Sequence, residues 1–137
     1  MKKVLIDTNI VIDLLAKRER FYNSAAELFS LSDKKELKLF ISALTFANTS
    51  YVLSKQLSSR NAKEVLRKFK TLVEVLSLDD KVIELALSDD DFGDFEDGLQ
   101  YYSALENGVE MIITRNKKDF KNSEMPVFTA QEYLAMI

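Results

Sequence analysis

Apolar residues along this chain fall into two kinds of run. Five are short and nearly continuous: "KVLI" (Lys3–Ile6), "LKLFIS" (Leu37–Ser42), "VEVLSL" (Val73–Leu78), "EMIIT" (Glu110–Thr114) and "MPVFT" (Met125–Thr129). A strand with one wet face alternates apolar with polar, whereas a strand covered on both faces does not, so these runs predict buried strands. Pro126 near the start of the last run suits an edge strand, because proline has no N–H to offer a neighbour.

The longer runs between them are amphipathic at helical spacing. They are "NIVIDLLAKR" (Asn9–Arg18), "FYNSAAELFSL" (Phe21–Leu31), "ALTFANTSYVLSKQL" (Ala43–Leu57), "NAKEVLRKFKTLV" (Asn61–Val73), "DDKVIELALS" (Asp79–Ser88), "FEDGLQYYSALENG" (Phe95–Gly108) and "AQEYLAMI" (Ala130–Ile137). Asn61 is the expected cap of the fourth, with Val65, Leu66, Phe69 and Leu72 on its apolar face. Gly108 is expected at the C′ position of the sixth. Strands alternating with helices predict an α/β three-layer sandwich, a parallel sheet between helical layers. Three glycines, one proline and no linker argue for a single domain over residues 1–137. In such folds ligands bind beyond the C-terminal ends of strands, where strand order reverses.

Composition narrows the chemistry. The chain has no cysteine and no histidine, which excludes disulfides, thiolate nucleophiles, Ser-His-Asp catalysis and histidine-ligated zinc. Catalytic proton transfer would have to run through carboxylates, lysine, tyrosine or water on a metal. A net charge of −3 supplies no global basic field for nucleic acid. The apolar start is broken by Asp7 and Asp13, so neither a signal peptide nor a membrane span is expected, and a cytoplasmic location is.

Acids then appear where the fold predicts a site. Asp7 ends the first strand, where it could equally cap the helix that follows. "DDDFGDFEDG" (Asp89–Gly98) holds six acids in ten residues, of which Asp94 and Asp97 share one face of a first helical turn. A capping pair would account for those two, and Asp89, Asp90 and Asp91 read as a solvated loop. "TRNKKDF" after the fourth strand adds Thr114, Asn116 and Asp119. Jointly, Asp7, Asp97 and Asp119 form a hard-oxygen set suited to Mg²⁺ or Mn²⁺, an ion that would also relieve their mutual repulsion.

Four segments, "LIDTNIVIDLL", "SALTFANTSYVL", "DFEDGLQYYSAL" and "ITRNKKDF", make the whole chain resemble the PIN domains, and within them the VapC-like ribonuclease toxins. The resemblance implies a five-stranded parallel sheet in the order 3-2-1-4-5 and Mg²⁺- or Mn²⁺-dependent endoribonuclease chemistry. It implies Asp7, Asp97 and Asp119 as metal ligands, with Thr8, Asn9, Ser42, Thr114 and Asn116 positioning groups by hydrogen bonds. Where the family usually carries Glu, this chain has Asn48, which brings no charge; Asp94 is the expected compensating ligand. RNA backbone contact is expected from Arg115, Lys117 and Lys118, or from Lys17, Arg18 and Arg20. The resemblance also implies a homodimer and an antitoxin protein partner, with Phe21 and Tyr22 as candidate contacts.

Two other readings compete. Asn48 leaves room for a PIN-fold binding or regulatory module with weak or no nuclease activity. A haloacid-dehalogenase-like phosphatase is rejected, because it needs a second Asp where Asn9 stands.

Overall fold

The computed structural model describes residues 1–137. Five parallel strands, β1 (Lys3–Ile6), β2 (Lys38–Ser42), β3 (Glu74–Leu76), β4 (Met111–Ile113) and β5 (Val127–Phe128), lie in the order β3-β2-β1-β4-β5. The helices are α1 (Thr8–Leu15), α2 (Tyr22–Asp33), α3 (Ala43–Gln56), α4 (Ser59–Phe69), α5 (Asp80–Ser88), α6 (Phe95–Glu106) and α7 (Ala130–Met136). None is long and apolar enough to cross a membrane.

The unbroken apolar runs have a simple geometric origin. Successive strand residues point to opposite faces, and each face here has its own core. Val4, Ile6, Leu39, Ile41, Met111 and Ile113 join one cluster with Ile10, Leu28, Phe29 and Tyr133 of α1, α2 and α7. Leu5, Phe40 and Ile112 join the other, with Tyr101 and Ala104 of α6 and with Phe92 and Phe120 from loops. Val4, Leu5 and Ile6 are all fully buried, so the central strand has no wet face to carry a polar residue. Truncating any of them to Ala would cost about 2–5 kcal/mol.

Helix ends follow local chemistry, with one correction. The cap of α4 is Ser58, whose Oγ accepts the Asn61 N–H at 3.1 Å; Asn61 sits inside the first turn instead of starting it. That helix ends at Phe69, and Leu72 falls in the 3₁₀ turn Lys70–Leu72. Gly108 does take the C′ place of α6 at φ 69°, with the Val109 N–H reaching the Ala104 carbonyl at 3.1 Å.

Both edge strands are shorter than their apolar runs. β3 keeps three residues and pairs only with the end of β2, from Phe40 opposite Glu74 to Ser42 opposite Leu76. β5 keeps two, since Pro126 can only accept, taking the Ile112 N–H on its carbonyl at 3.0 Å.

Candidate active site

Strand order reverses at β1, which has β2 on one side and β4 on the other. The chain therefore leaves β1 and β4 in opposite directions, opening a crevice at their C-terminal ends. Asp7 follows β1 and Thr114 follows β4. The Asp7 N–H continues the ladder onto the Ile113 carbonyl at 3.0 Å, and the Thr114 hydroxyl donates to Asp7 Oδ2 at 2.7 Å.

Asp7 is only 5% exposed, and burying a carboxylate is costly unless donors surround it. Its Oδ1 accepts the Thr8 N–H at 2.7 Å and the Gln100 side-chain amide at 2.9 Å, alongside the Thr114 bond to Oδ2. It caps α1 and its charge acts on Asp97 and Asp119 as the buried floor of an acid cluster, so the two sequence readings of Asp7 are compatible.

Around it runs a buried polar network. Thr8 Oγ1 bonds Thr45 Oγ1 at 2.9 Å, and Thr45 lies 3.5 Å from the Ser42 hydroxyl. Thr45 thus braces α3 against α1, while Ser42 is fully buried behind it and out of reach of a substrate. Asn9 Oδ1 accepts the Arg115 N–H at 3.3 Å, and the Asn116 N–H donates to Thr114 Oγ1 at 3.1 Å.

The rim is built differently. Asp94 caps α6 by accepting the Glu96 N–H at 2.8 Å. Asp97 makes no reciprocal bond, so the capping pair is half present and the Asp97 carboxylate stays uncommitted. Asp97 is pushed up to about 7, first by desolvation and then by the charges of Asp7, Asp94, Asp119 and Glu96. Asp119, in the 3₁₀ turn Lys117–Phe120, is raised by burial and by Asp7 and Asp94. Asp7, Asp94, Asp97 and Asp119 thus share one field, and none of them is in a salt bridge.

Asp94, Asp97 and Asp119 line a cleft of ≈ 410 Å³ that contains no hydrophobic side chain. Asp90 and Asp91 line it too while staying exposed in a turn, as expected of a solvated acid loop, and only Asp89 is half-buried. The segment is pinned: Phe92 packs on Tyr101, and Asp89 accepts the Tyr102 hydroxyl at 2.6 Å. That bond pushes the Tyr102 phenol up to about 12.

Other expected residues lie elsewhere. Asn48 reaches Glu96, at 3.5 Å, so the acid facing the missing charge is Glu96. Arg115, expected on substrate, instead bonds the buried Asp13 at 2.8 Å and stacks over Phe21 at 4.1 Å. Arg18 and Arg20 turn toward Asp13 and Phe21, and Lys117 pairs with Glu132 at 3.1 Å. Lys118 remains unpaired beside the acids. Tyr22 lies in an apolar groove of ≈ 350 Å³ with Leu14, Leu15 and Phe69.

Sequence reasoning missed Gln100, Thr45, Glu96 and Asp13. Gln100 carried one readable signal: an amide one turn after Asp97, on the same helix face.

The donor set fits a hard divalent cation, being all oxygen and crowded with negative charge, and although Lys118 and Lys121 line the same cleft neither is in a salt bridge with these acids. No three of the acids stand in direct ligating geometry, so part of an ion's shell would be water, as Mg²⁺ commonly keeps.

A protein-family model described as a PIN domain matches residues 3–118. Ribonuclease VapC1 of Aquifex aeolicus (strain VF5) is 26% identical over 136 residues, covering 96% of this chain and 93% of that protein. A toxin-antitoxin complex from Klebsiella pneumoniae superposes with a TM-score of 0.70 at 23% identity, covering 93% of this chain and 97% of that one. DNA-bound VapBC from Salmonella typhimurium gives 0.68 at 24% identity, covering 95% and 99%. The strand order, the acids at the switch point and a family match over most of the length agree: this chain belongs to the PIN-domain family.

Proposed function

We propose that this chain is a metal-dependent endoribonuclease and the toxin of a toxin-antitoxin pair. The observation that carries this reading is the gathering of Asp7, Asp94, Asp97 and Asp119 at the sheet's switch point with no salt-bridge partner, where burial first and the neighbouring charges second push the Asp97 carboxyl up to about 7. Asp7, Asp97 and Asp119 would hold Mg²⁺ or Mn²⁺, with Asp94 as a further ligand from the same rim and Glu96 the acid beside Asn48. Such an ion activates water and neutralises the charge that builds on a phosphate under attack.

The chain's own groups set the geometry. Asp7 is fixed in direction by Thr8, Gln100 and Thr114. Without an ion the Asp97 carboxyl holds its proton up to near neutrality, and it would lose that proton to become a ligand when a cation binds. Lys118 offers a cation to a flanking phosphate. The relative from Aquifex aeolicus, named a ribonuclease, and the toxin-antitoxin fold neighbours support the RNA substrate and an antitoxin partner. The Tyr22 groove is our candidate for partner contact, and a homodimer remains part of the proposal.

The test is cleavage of a mixed RNA pool with Mn²⁺ or Mg²⁺, beside an Asp7→Asn control. Metal-dependent cutting that the control lacks is expected; no cutting by the wild type would leave a non-catalytic PIN-fold binding module, the reading that Asn48 favours. For Asp94 the useful variant is Asp94→Asn, because Asn caps a helix about as well as Asp. Unchanged Mn²⁺ affinity in that variant would remove Asp94 from the ligand set.

A further inference from the structure

Asp13 is 1% exposed and takes no part in the site described above. Its Oδ2 accepts Arg115 Nε at 2.8 Å, while Oδ1 has no hydrogen-bond partner and only the Arg18 guanidinium at 3.9 Å. An ion pair buried this deeply recovers its desolvation cost poorly, so stability alone is a weak reason for it.

Its position supplies another reason. Asn9 and Asp13 are one turn apart on the same face of α1. Asn9 holds the main-chain N–H of Arg115, and Asp13 holds its side chain. The guanidinium is closed from the other side by the Phe21 ring at 4.1 Å. Residue 115 is therefore gripped twice by the helix that Asp7 caps. Its neighbour Thr114 donates to Asp7, and Asp119 lies four residues further on. At the far end of this loop Phe120 is buried to 1% exposure in the core. Asp119 thus hangs between two anchors, Arg115 and Phe120. Between them the Asn116 N–H reaches Thr114 Oγ1 and the Asp119 N–H reaches the Asn116 carbonyl, both at 3.1 Å, while the Lys117–Glu132 pair is exposed and of a class that contributes little.

We propose that Asp13 is a positioning residue: through Arg115 it sets the distance between Asp7 on α1 and Asp119 on the loop after β4. The inference rests on the metal-site reading only in expecting Asp119 to bind a cation; the strut itself is testable without metal.

Two variants decide it. Asp13→Leu combined with Arg115→Met removes both charges while keeping the γ-branched shape of the one side chain and the apolar stem of the other, and should melt within a few degrees of the wild type. Amides of Thr114–Phe120 in the metal-free protein should then exchange about tenfold faster. Calorimetric Mn²⁺ affinity should fall about tenfold, the lower end of what residues behind a ligand cost. Asp13→Asn keeps shape and an acceptor oxygen, and should accelerate exchange by only roughly threefold. A double variant that melts, exchanges and binds Mn²⁺ like the wild type overturns the proposal. Should the double variant not fold, wild-type exchange in Asp13→Asn overturns it equally. A wild-type protein that binds no Mn²⁺ would sink the metal reading, while exchange still decides the role of Asp13.

Discussion

Asp7, the buried floor of the acid cluster, and Asp97 on its rim lie in one electrostatic field, yet the fold treats them differently. Asp7 is 5% exposed and accepts three hydrogen bonds, from a main-chain N–H, a threonine and a glutamine. Asp97 is half-buried, accepts none and is pushed up to about 7. Floor charge is balanced by the protein's own dipoles. Rim charge is left for something from outside, and a divalent cation has the right sign and hardness.

The contrast makes opposite predictions for removing the two carboxylates. Asp7→Ala should lower Mn²⁺ affinity by more than about 100-fold, the upper end seen when a site's support fails. It should also destabilise the metal-free chain by about 1–3 kcal/mol, because buried donors lose their acceptor. Calorimetry and denaturant melts read both numbers, and an Asp7→Ala chain as stable as the wild type would show that the floor is not self-balanced.

Asp97→Asn should also weaken Mn²⁺ binding, by about 10–100-fold, but raise the melting temperature of the metal-free chain at pH 8. The repulsion that lifts the Asp97 carboxyl is removed and no donor is orphaned. A lower melting temperature would mean that Asp97 is structurally satisfied after all.

The same asymmetry has a pH signature. Asp97 titrates at about 7 in the fold against an ordinary 3.8. Between those values the folded chain retains a proton that the unfolded chain has released. Stability of the metal-free protein should therefore fall as pH rises from about 4 to about 7, then level off. Saturating Mn²⁺ should flatten that slope, since binding displaces the proton. Melting temperatures across the range, with and without metal, check it; a slope unaffected by metal would separate Asp97 from the ion.

The smallest effect is expected at Gln100. Gln100→Leu keeps the packing volume and removes one of three donors to Asp7, which should cost a few-fold in Mn²⁺ affinity and about 1 kcal/mol of stability. No change in either would leave Thr8 and Thr114 as the groups that orient Asp7.

Much of the architecture was readable from one dimension. The apolar runs predicted all five strands because central strands have two dry faces, and the split of Val4, Leu5 and Ile6 between two cores is that rule at work. The runs overshot at β3 and β5, where edge pairing, not hydropathy, sets strand length. Asp7, Asp94, Asp97 and Asp119 were found because the switch point of a parallel sheet says where to look. What went unseen were partners far apart in sequence: Gln100 on Asp7, Glu96 at Asn48, and Arg115 turned away from the cleft onto Asp13.

The sequence by itself determined the strand–helix alternation, the caps at Asp7, Asp94 and Gly108, and the acids at the strand ends. Each of these depends on residues within a turn or two of one another. Only the tertiary structure decided which acids are balanced and which are not, and whether a basic side chain faces substrate or a buried carboxylate. Those outcomes depend on burial and on donors contributed by other elements, because a charge in a fold is set by what surrounds it in space.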